Sequence, residues 1–319
     1  MSAATDSNYP STYRERVDWI RSRRGPRNSI DPRRPSAFLV DDERTASGEI
    51  APTATVFLTN RECPWTCLMC DLWRNTLLES VPLGAIPEQI DIALNALPDA
   101  RQIKLYNAGS FFDPRAIPPE DYPAIAQRLH RFDRVIVECH PALVNHSAVR
   151  FRDLLSGKLE IAMGLETAHP TVLEKLNKGL TLDRFNTAAA FLQHHDIALR
   201  VFVLVQPPFL RSAEALEWTQ RSIEFSFDAA AEVVALIPTR SGNGALDSLA
   251  VFTEPSLSKL EETIDSGLAL NRGRILADLW DLHRFSHCDH CFPARRDRLH
   301  QMNLRQVILP RIKCAACEA

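Results

Sequence analysis

Three thiols stand close together in the stretch TNRECPWTCLMCDLWRN, residues 59–75: Cys63, Cys67 and Cys70, spaced C-x3-C-x2-C. A cubane 4Fe–4S cluster ordinarily takes one cysteine thiolate on each of its irons. Three cysteines on one short loop hold three corners and leave one iron open. An open position marks a metal centre that binds a reactant rather than one that only holds the fold. Part of a zinc site, or a chance grouping without metal, is the competing reading. A second group closes the sequence, where Cys288 and Cys291 form one C-x2-C pair and Cys314 and Cys317 another. Two such pairs roughly twenty residues apart read as a four-thiolate tetrahedral site. Zinc is the first choice, with a rubredoxin-like iron or an auxiliary iron–sulfur cluster as the other occupants. His287, His290 and His300 are spare ligands or surface residues. The eighth cysteine, Cys139, reads as a small buried hydrophobe, with a catalytic role as its rival.

The elements that must position the first triad alternate along the chain. Strand-like runs occupy residues 53–59, 101–107, 134–138, 159–166, 198–207 and 231–238. Helical apolar spacing falls between them, as in PEQIDIALNAL (87–97), where Ile90, Ala93, Leu94 and Leu97 share one face. Six strands each joined to the next by a helix predict an α/β fold with a parallel sheet, because parallel neighbours need crossovers. A doubly wound sheet and a curved barrel both satisfy that alternation. Six units suit a partial (β/α)6 TIM-like barrel, whose functional residues lie at the carboxyl ends of the strands. The unusual residues fall at that rim. The triad loop follows the first strand and NAGS (107–110) the second; Glu138 closes the third and Glu166 the fourth. QPPF (206–209) follows the fifth and PTRSGNG (238–244) the sixth. The expected organisation is an Arg-rich extension (1–50), a core barrel (51–250), and a helical segment with a C-terminal four-cysteine metal knuckle (251–319).

Composition is that of a globular enzyme, with 45% hydrophobic and 24% charged residues in 319. No apolar run approaches the ~20 residues of a membrane-spanning helix. The first residues lack the apolar core of a secretory signal. Both point to the cytoplasm and no membrane, and clustered cysteines in a reducing compartment hold metal more readily than disulfides. Charge is uneven. Residues 13–35 carry net +5 and 288–313 net +4, leaving −12 for the rest of a chain whose total is −3. Basic ends on an acidic body suit a polyanion such as tRNA, or an arginine-rich tail packed along the body. The pI of 6.4 lies well below the ~9 of a dedicated nucleic-acid domain.

C-x3-C-x2-C after a first strand resembles the radical S-adenosylmethionine (radical SAM) superfamily, over roughly residues 50–245. In that family the open iron chelates the amino and carboxylate groups of S-adenosylmethionine. One electron then yields a 5′-deoxyadenosyl radical that abstracts hydrogen from the substrate. The resemblance places Met69 against the adenine, where many members have an aromatic residue. It puts Asn107, Gly109 and Ser110 where members carry a glycine-rich GGE. The family glutamate is absent there, so backbone carbonyls or a side chain such as Ser110 must meet the amino group. Glu138, Glu166, Gln206 and Pro238 are implied cofactor contacts at their strand ends. GLETAHPTVLEKLNKGLT (164–181) is similar to the strand-four segment of the elongator catalytic subunit and methylthiotransferase branch. SFFDP, VE and the loop after strand six look most like the archaeosine synthase radical SAM subunits and their bacterial relatives.

The resemblance implies a reductase or a flavodoxin- or ferredoxin-type electron donor, and a substrate that is either a tRNA nucleobase or a small metabolite. It assigns no catalytic side chain. Glu138 could equally be a strand-end carboxylate paired with an arginine. A non-catalytic metal-knuckle binding protein with a vestigial barrel is the rival of another class.

Overall fold

The computed structural model describes residues 8–318. Residues 1–7, part of the Arg-rich extension and of the stretch read as lacking a secretory signal, lie outside the described residues, as does Ala319. After α1 (Tyr13–Arg21), a hairpin of β1 (Ala37–Arg44) and β2 (Ile50–Leu58) pairs antiparallel, with Ala37 opposite Phe57 and Arg44 opposite Ile50. From β2 onward each strand runs parallel to the next. These are β3 (Gln102–Asn107), β4 (Arg134–Glu138), β5 (Lys158–Glu166), β6 (Ala198–Val205), β7 (Val233–Pro238) and β8 (Arg274–Ala277). The crossovers are α2 (Ala85–Ala96), α3 (Tyr122–Arg128), α4 (His146–Leu154), α5 (Pro170–Lys175) with α6 (Leu182–His194), α7 (Ser212–Asp228) and α8 (Leu257–Ala269). Helices α9 (Phe292–Arg305) and α10 (Ala315–Glu318) follow. Strand order in the sheet equals strand order in the chain. A sheet that always adds on the same side and twists curls into the partial barrel expected from the sequence. Among the described residues no helix is long and apolar enough to cross a membrane.

The six expected strands are β2 to β7, and two more flank them. β1 hides its strand character behind Asp41, Asp42, Glu43 and Arg44, and β8 has only four residues. Local polar side chains cap the helices that frame the site, as where Thr181 Oγ1 accepts from the Arg184 amide at α6 and Ser256 Oγ from that of Lys259 at α8.

Side chains alternate across each strand. One face gives Val135, Val137, Ile161, Met163, Leu165, Val201 and Val203 to the core under the helices. The other face fills the barrel in layers. At the bottom lies a charged layer, with Glu160 fully buried between Arg134 (2.5 Å) and Arg200 (2.5 Å). Arg200 and Lys104 both pair with Glu43, and Arg274 with Glu232. Burial alone would raise Glu43, yet Arg200 and Lys104 hold its carboxyl well below the usual range. Above them Tyr106 meets Phe57 and Phe202 edge-on, with centroids 6.3 and 6.1 Å apart. This filling leaves the barrel open at its upper rim, where the parallel strands end.

Arginines of the basic segment fasten the triad loop. Arg24 and Arg27 both pair with Glu62, and Arg27 also donates to the carbonyl of Trp73 and the hydroxyl of Thr76. Buried Arg16 donates to the carbonyls of Pro10, Ser11 and Glu174. The packed-tail reading of these charges accounts for Arg16, Arg24 and Arg27.

Candidate active site

The triad loop leaves β2 and is held open without help from its thiols. The Leu68 amide donates to the Leu176 carbonyl (2.9 Å), Asn177 Nδ2 to the Thr66 carbonyl (3.0 Å) and Asn243 Nδ2 to the Leu68 carbonyl (2.7 Å). Leu68 itself is buried against Ile20 of α1, Val172 and Leu246. Cys63, Cys67 and Cys70 thereby line one wall of a cavity of about 330 Å3 at the barrel mouth. Sunk below the general surface, each thiol is pushed up to about 12 by burial. Among the described residues, Cys288, Cys291, Cys314 and Cys317 are the group of metal-ligand side chains whose donor atoms all lie within 4.8 Å of one another.

The strand ends supply the other walls. Met69, Asn107, Gly109, Glu138, Glu166 and Pro238 all face this cavity. Two other expected contacts stand off it. Ser110 is fully buried, its hydroxyl accepting from the His140 amide (2.7 Å), and Gln206 donates to the Thr253 carbonyl (2.9 Å). Cys139, 3% exposed, donates its thiol to the His140 carbonyl and packs in the main core, as a small hydrophobe would.

An ion pair lies across the cavity floor. Lys178 Nζ is 2.7 Å from Glu166 Oε1. Burial opposes the lysine's charge, but Glu166 and then the nearby thiols outweigh it and raise Lys178 above its ordinary value. Gly164 makes room for the pair, because a Cβ there would stand 2.2 Å from Glu166 Oε1 and 2.6 Å from Lys178 Nζ. Glu166 itself has φ 69° at a bulge ending β5, which turns its carboxylate from the strand into the mouth. Sequence reasoning missed Lys178, although it lies in the quoted 164–181 segment. It also missed His140, whose ring stacks on Trp65 with centroids 3.5 Å apart. His140 Nδ1 accepts from the Ala142 amide, so Nε2 carries the proton and donates to the Lys178 carbonyl. Burial, then Lys178, holds this histidine down to about 3, so it stays neutral.

Asn107 is 4% exposed and lines the cavity with neither side-chain amide atom hydrogen-bonded; fully buried Asn60, whose amide lies beside Gly109, is likewise unsatisfied. Buried polar atoms are rarely left so, and such a cavity is built to receive a polar ligand. Among the described residues Glu138 pairs with no arginine. It accepts from the backbone N–H of Asn107 (2.8 Å), and burial raises it to about 7. A carboxyl raised in the native state makes that state bind more protons than the unfolded chain. Stability is then lost as pH rises from about 4.5 to about 7. Glu138→Gln should therefore gain stability over the parent by ~1–3 kcal/mol at pH 8 and by less than about 1 kcal/mol at pH 5. Urea unfolding of both proteins at the two pH values checks this. An equal difference at both would contradict it.

No protein-family model matches the chain. It is 26% identical over 220 residues to an uncharacterized protein of Methanocaldococcus jannaschii, covering 64% of this chain and 60% of that one. It is 28% identical over 190 residues to archaeosine synthase subunit beta of Methanosarcina acetivorans, covering 56% and 55%. With the same subunit of Thermococcus kodakarensis it shares 30% over 127 residues, covering 38% and 39%. The chain thus spans less than two thirds of the length of each. Among solved structures, SuiB of Streptococcus suis matches with a TM-score of 0.54 at 13% identity, over 75% of this chain and 50% of SuiB. A second SuiB structure is bound to S-adenosylmethionine. Elp3 of Methanocaldococcus infernus gives 0.52 at 10% identity, over 79% and 64%. The chain shares the fold of SuiB and Elp3.

Proposed function

We propose that this chain is a radical S-adenosylmethionine enzyme of the cytoplasm. The observation that carries the reading is one cavity that gathers the open-sided cysteine triad, an ammonium–carboxylate pair and an unpartnered amide at the rim of a partial barrel. Cys63, Cys67 and Cys70 would hold a 4Fe–4S cluster. Together, the cluster and S-adenosylmethionine supply one-electron carbon–sulfur cleavage and the hydrogen abstraction that follows. This chain's side chains bind and orient. Lys178 and Glu166 offer opposite charges to the carboxylate and ammonium of an amino-acid moiety, and Asn107 offers both a donor and an acceptor. Ala162, Phe202, Leu204 and Ile237 give the far wall an apolar lining that limits water around the reacting groups. The electron comes from a reductase or a flavodoxin- or ferredoxin-type donor.

Glu166→Ala should leave the iron content unchanged but weaken S-adenosylmethionine binding roughly tenfold to a hundredfold, the worth of one charge-assisted hydrogen bond. Equilibrium binding to anaerobically reconstituted protein measures it. Unchanged affinity would move Glu166 out of the cofactor site.

The substrate we propose is a tRNA nucleobase, with a partner subunit, on the likeness to archaeosine synthase subunit beta. A small metabolite is favoured instead by the pairing of the basic ends. Arg24, Arg27, Arg295, Arg298 and Arg311 all have acidic partners, which reduces the charge left for a polyanion. RNA that copurifies and is released by salt supports the first; nucleic-acid-free active protein supports the second.

A further inference from the structure

β8 is an edge strand, yet its outer backbone groups are not left bare. The Ile275 amide donates to Gln306 Oε1 (2.7 Å) and Gln306 Nε2 donates back to the Ile275 carbonyl (2.9 Å). Asn303 does the same for Ala277, at 2.8 Å in both directions. Two side-chain amides from the end of α9 thus stand in for a ninth strand. The same helix end reaches β1, where Arg44 donates to the Leu304 carbonyl (3.0 Å) while Arg274 of β8 donates to the Arg44 carbonyl (2.8 Å). α9 therefore bridges the two free edges of the sheet and closes the open side of the half-barrel.

Leu299 and Met302 seat α9 on the main core and Arg295 pairs with Glu261 of α8, and the chain that follows adds a further hold at the sheet edge. At Gln306 (φ 56°) the backbone reverses and returns toward the helix start. Arg298, 3% exposed, pins the return by donating to the Leu309 and Pro310 carbonyls while pairing with Asp265. On the return Leu309 packs against the core, while Val307, Ile308 and Ile312 are exposed. The return brings Cys314 and Cys317 to Cys288 and Cys291 at the start of α9. The Sγ–Sγ distances are 3.9 Å for Cys288–Cys314 and 3.8 Å for Cys291–Cys317. Thiolates about 2.3 Å from one tetrahedral ion stand about 3.8 Å apart. A disulfide needs about 2.0 Å, and a cubane puts each thiolate on its own iron, farther apart.

We infer that Cys288, Cys291, Cys314 and Cys317 bind a single thiophilic divalent ion, zinc or ferrous iron, that clasps α9 across the sheet edges and keeps the half-barrel closed. The ion closes a loop containing the whole helix, so its binding free energy is available to the seam.

The test uses the full chain carrying Cys63→Ala, Cys67→Ala and Cys70→Ala, so that any metal counted belongs to the tail. Elemental analysis should find about one ion per chain and no acid-labile sulfide. After chelation the Ile275 and Ala277 amides should exchange hydrogen about tenfold or more faster while β3 to β5 stay protected, and added Zn2+ should restore them. Gln306→Ala should keep the ion bound yet expose the Ile275 amide, separating the seam contact from the metal. Several irons with sulfide, a metal-free pair of disulfides, or unchanged β8 protection after chelation would each overturn the inference.

Discussion

Alanine in place of Cys67, or of Cys63 or Cys70, should abolish reductive cleavage of S-adenosylmethionine while leaving the chain folded. The loss is expected to be complete because two thiolates cannot hold three corners of a cubane. The fold is expected to survive because the loop is held by other groups. The Leu68 amide, Asn177 and Asn243 fix its backbone, and Arg24 and Arg27 clamp it through Glu62. Anaerobic reconstitution of each variant should therefore fail to give the air-sensitive visible absorbance of the parent, at a melting temperature within a few degrees of it. A variant that keeps a reductively cleavable cluster would remove the triad from the site.

Glu160→Ala should destabilise the protein by about 3–5 kcal/mol, a large part of a typical domain's stability. Glu160 is fully buried between Arg134 and Arg200, with Arg274 4.0 Å away. Its removal leaves Arg200 with Glu43 and Arg134 with Glu232, so buried positive charge is no longer balanced. Urea unfolding of metal-free parent and variant measures this. A difference below about 1 kcal/mol would mean that water or relaxation replaces the lost carboxylate.

The parallel core was legible because β-branched runs such as RVIVE and LEIAMGLE end at residues too polar or too reactive for a strand interior. Those ends are the rim, so strand order and site location came from one pattern. β1 was not legible because its buried face carries Glu43, whose partners Lys104 and Arg200 lie 61 and 157 residues away. Charge in a strand signals solvent unless its partner is known, and pairing across a barrel cannot be read locally. Lys178 was hidden for the same reason. One lysine in LNKGLT looks like surface until β5, the bulge and Gly164 bring Glu166 to it. The arginines near the N-terminus offered two readings of equal physical merit, and the ion pairs with Glu62 favour packing for Arg24 and Arg27. Ser110 and Gln206 sit at the correct strand ends, but their side chains turn into the protein, a choice made by backbone geometry that composition does not record.

The most direct test of the account is to reduce the anaerobically reconstituted chain in the presence of S-adenosylmethionine and follow the products by chromatography and mass spectrometry. The account predicts 5′-deoxyadenosine and methionine from the parent, and none from Cys67→Ala. Intact S-adenosylmethionine after reduction of a chain that has bound about four irons on the triad would contradict it.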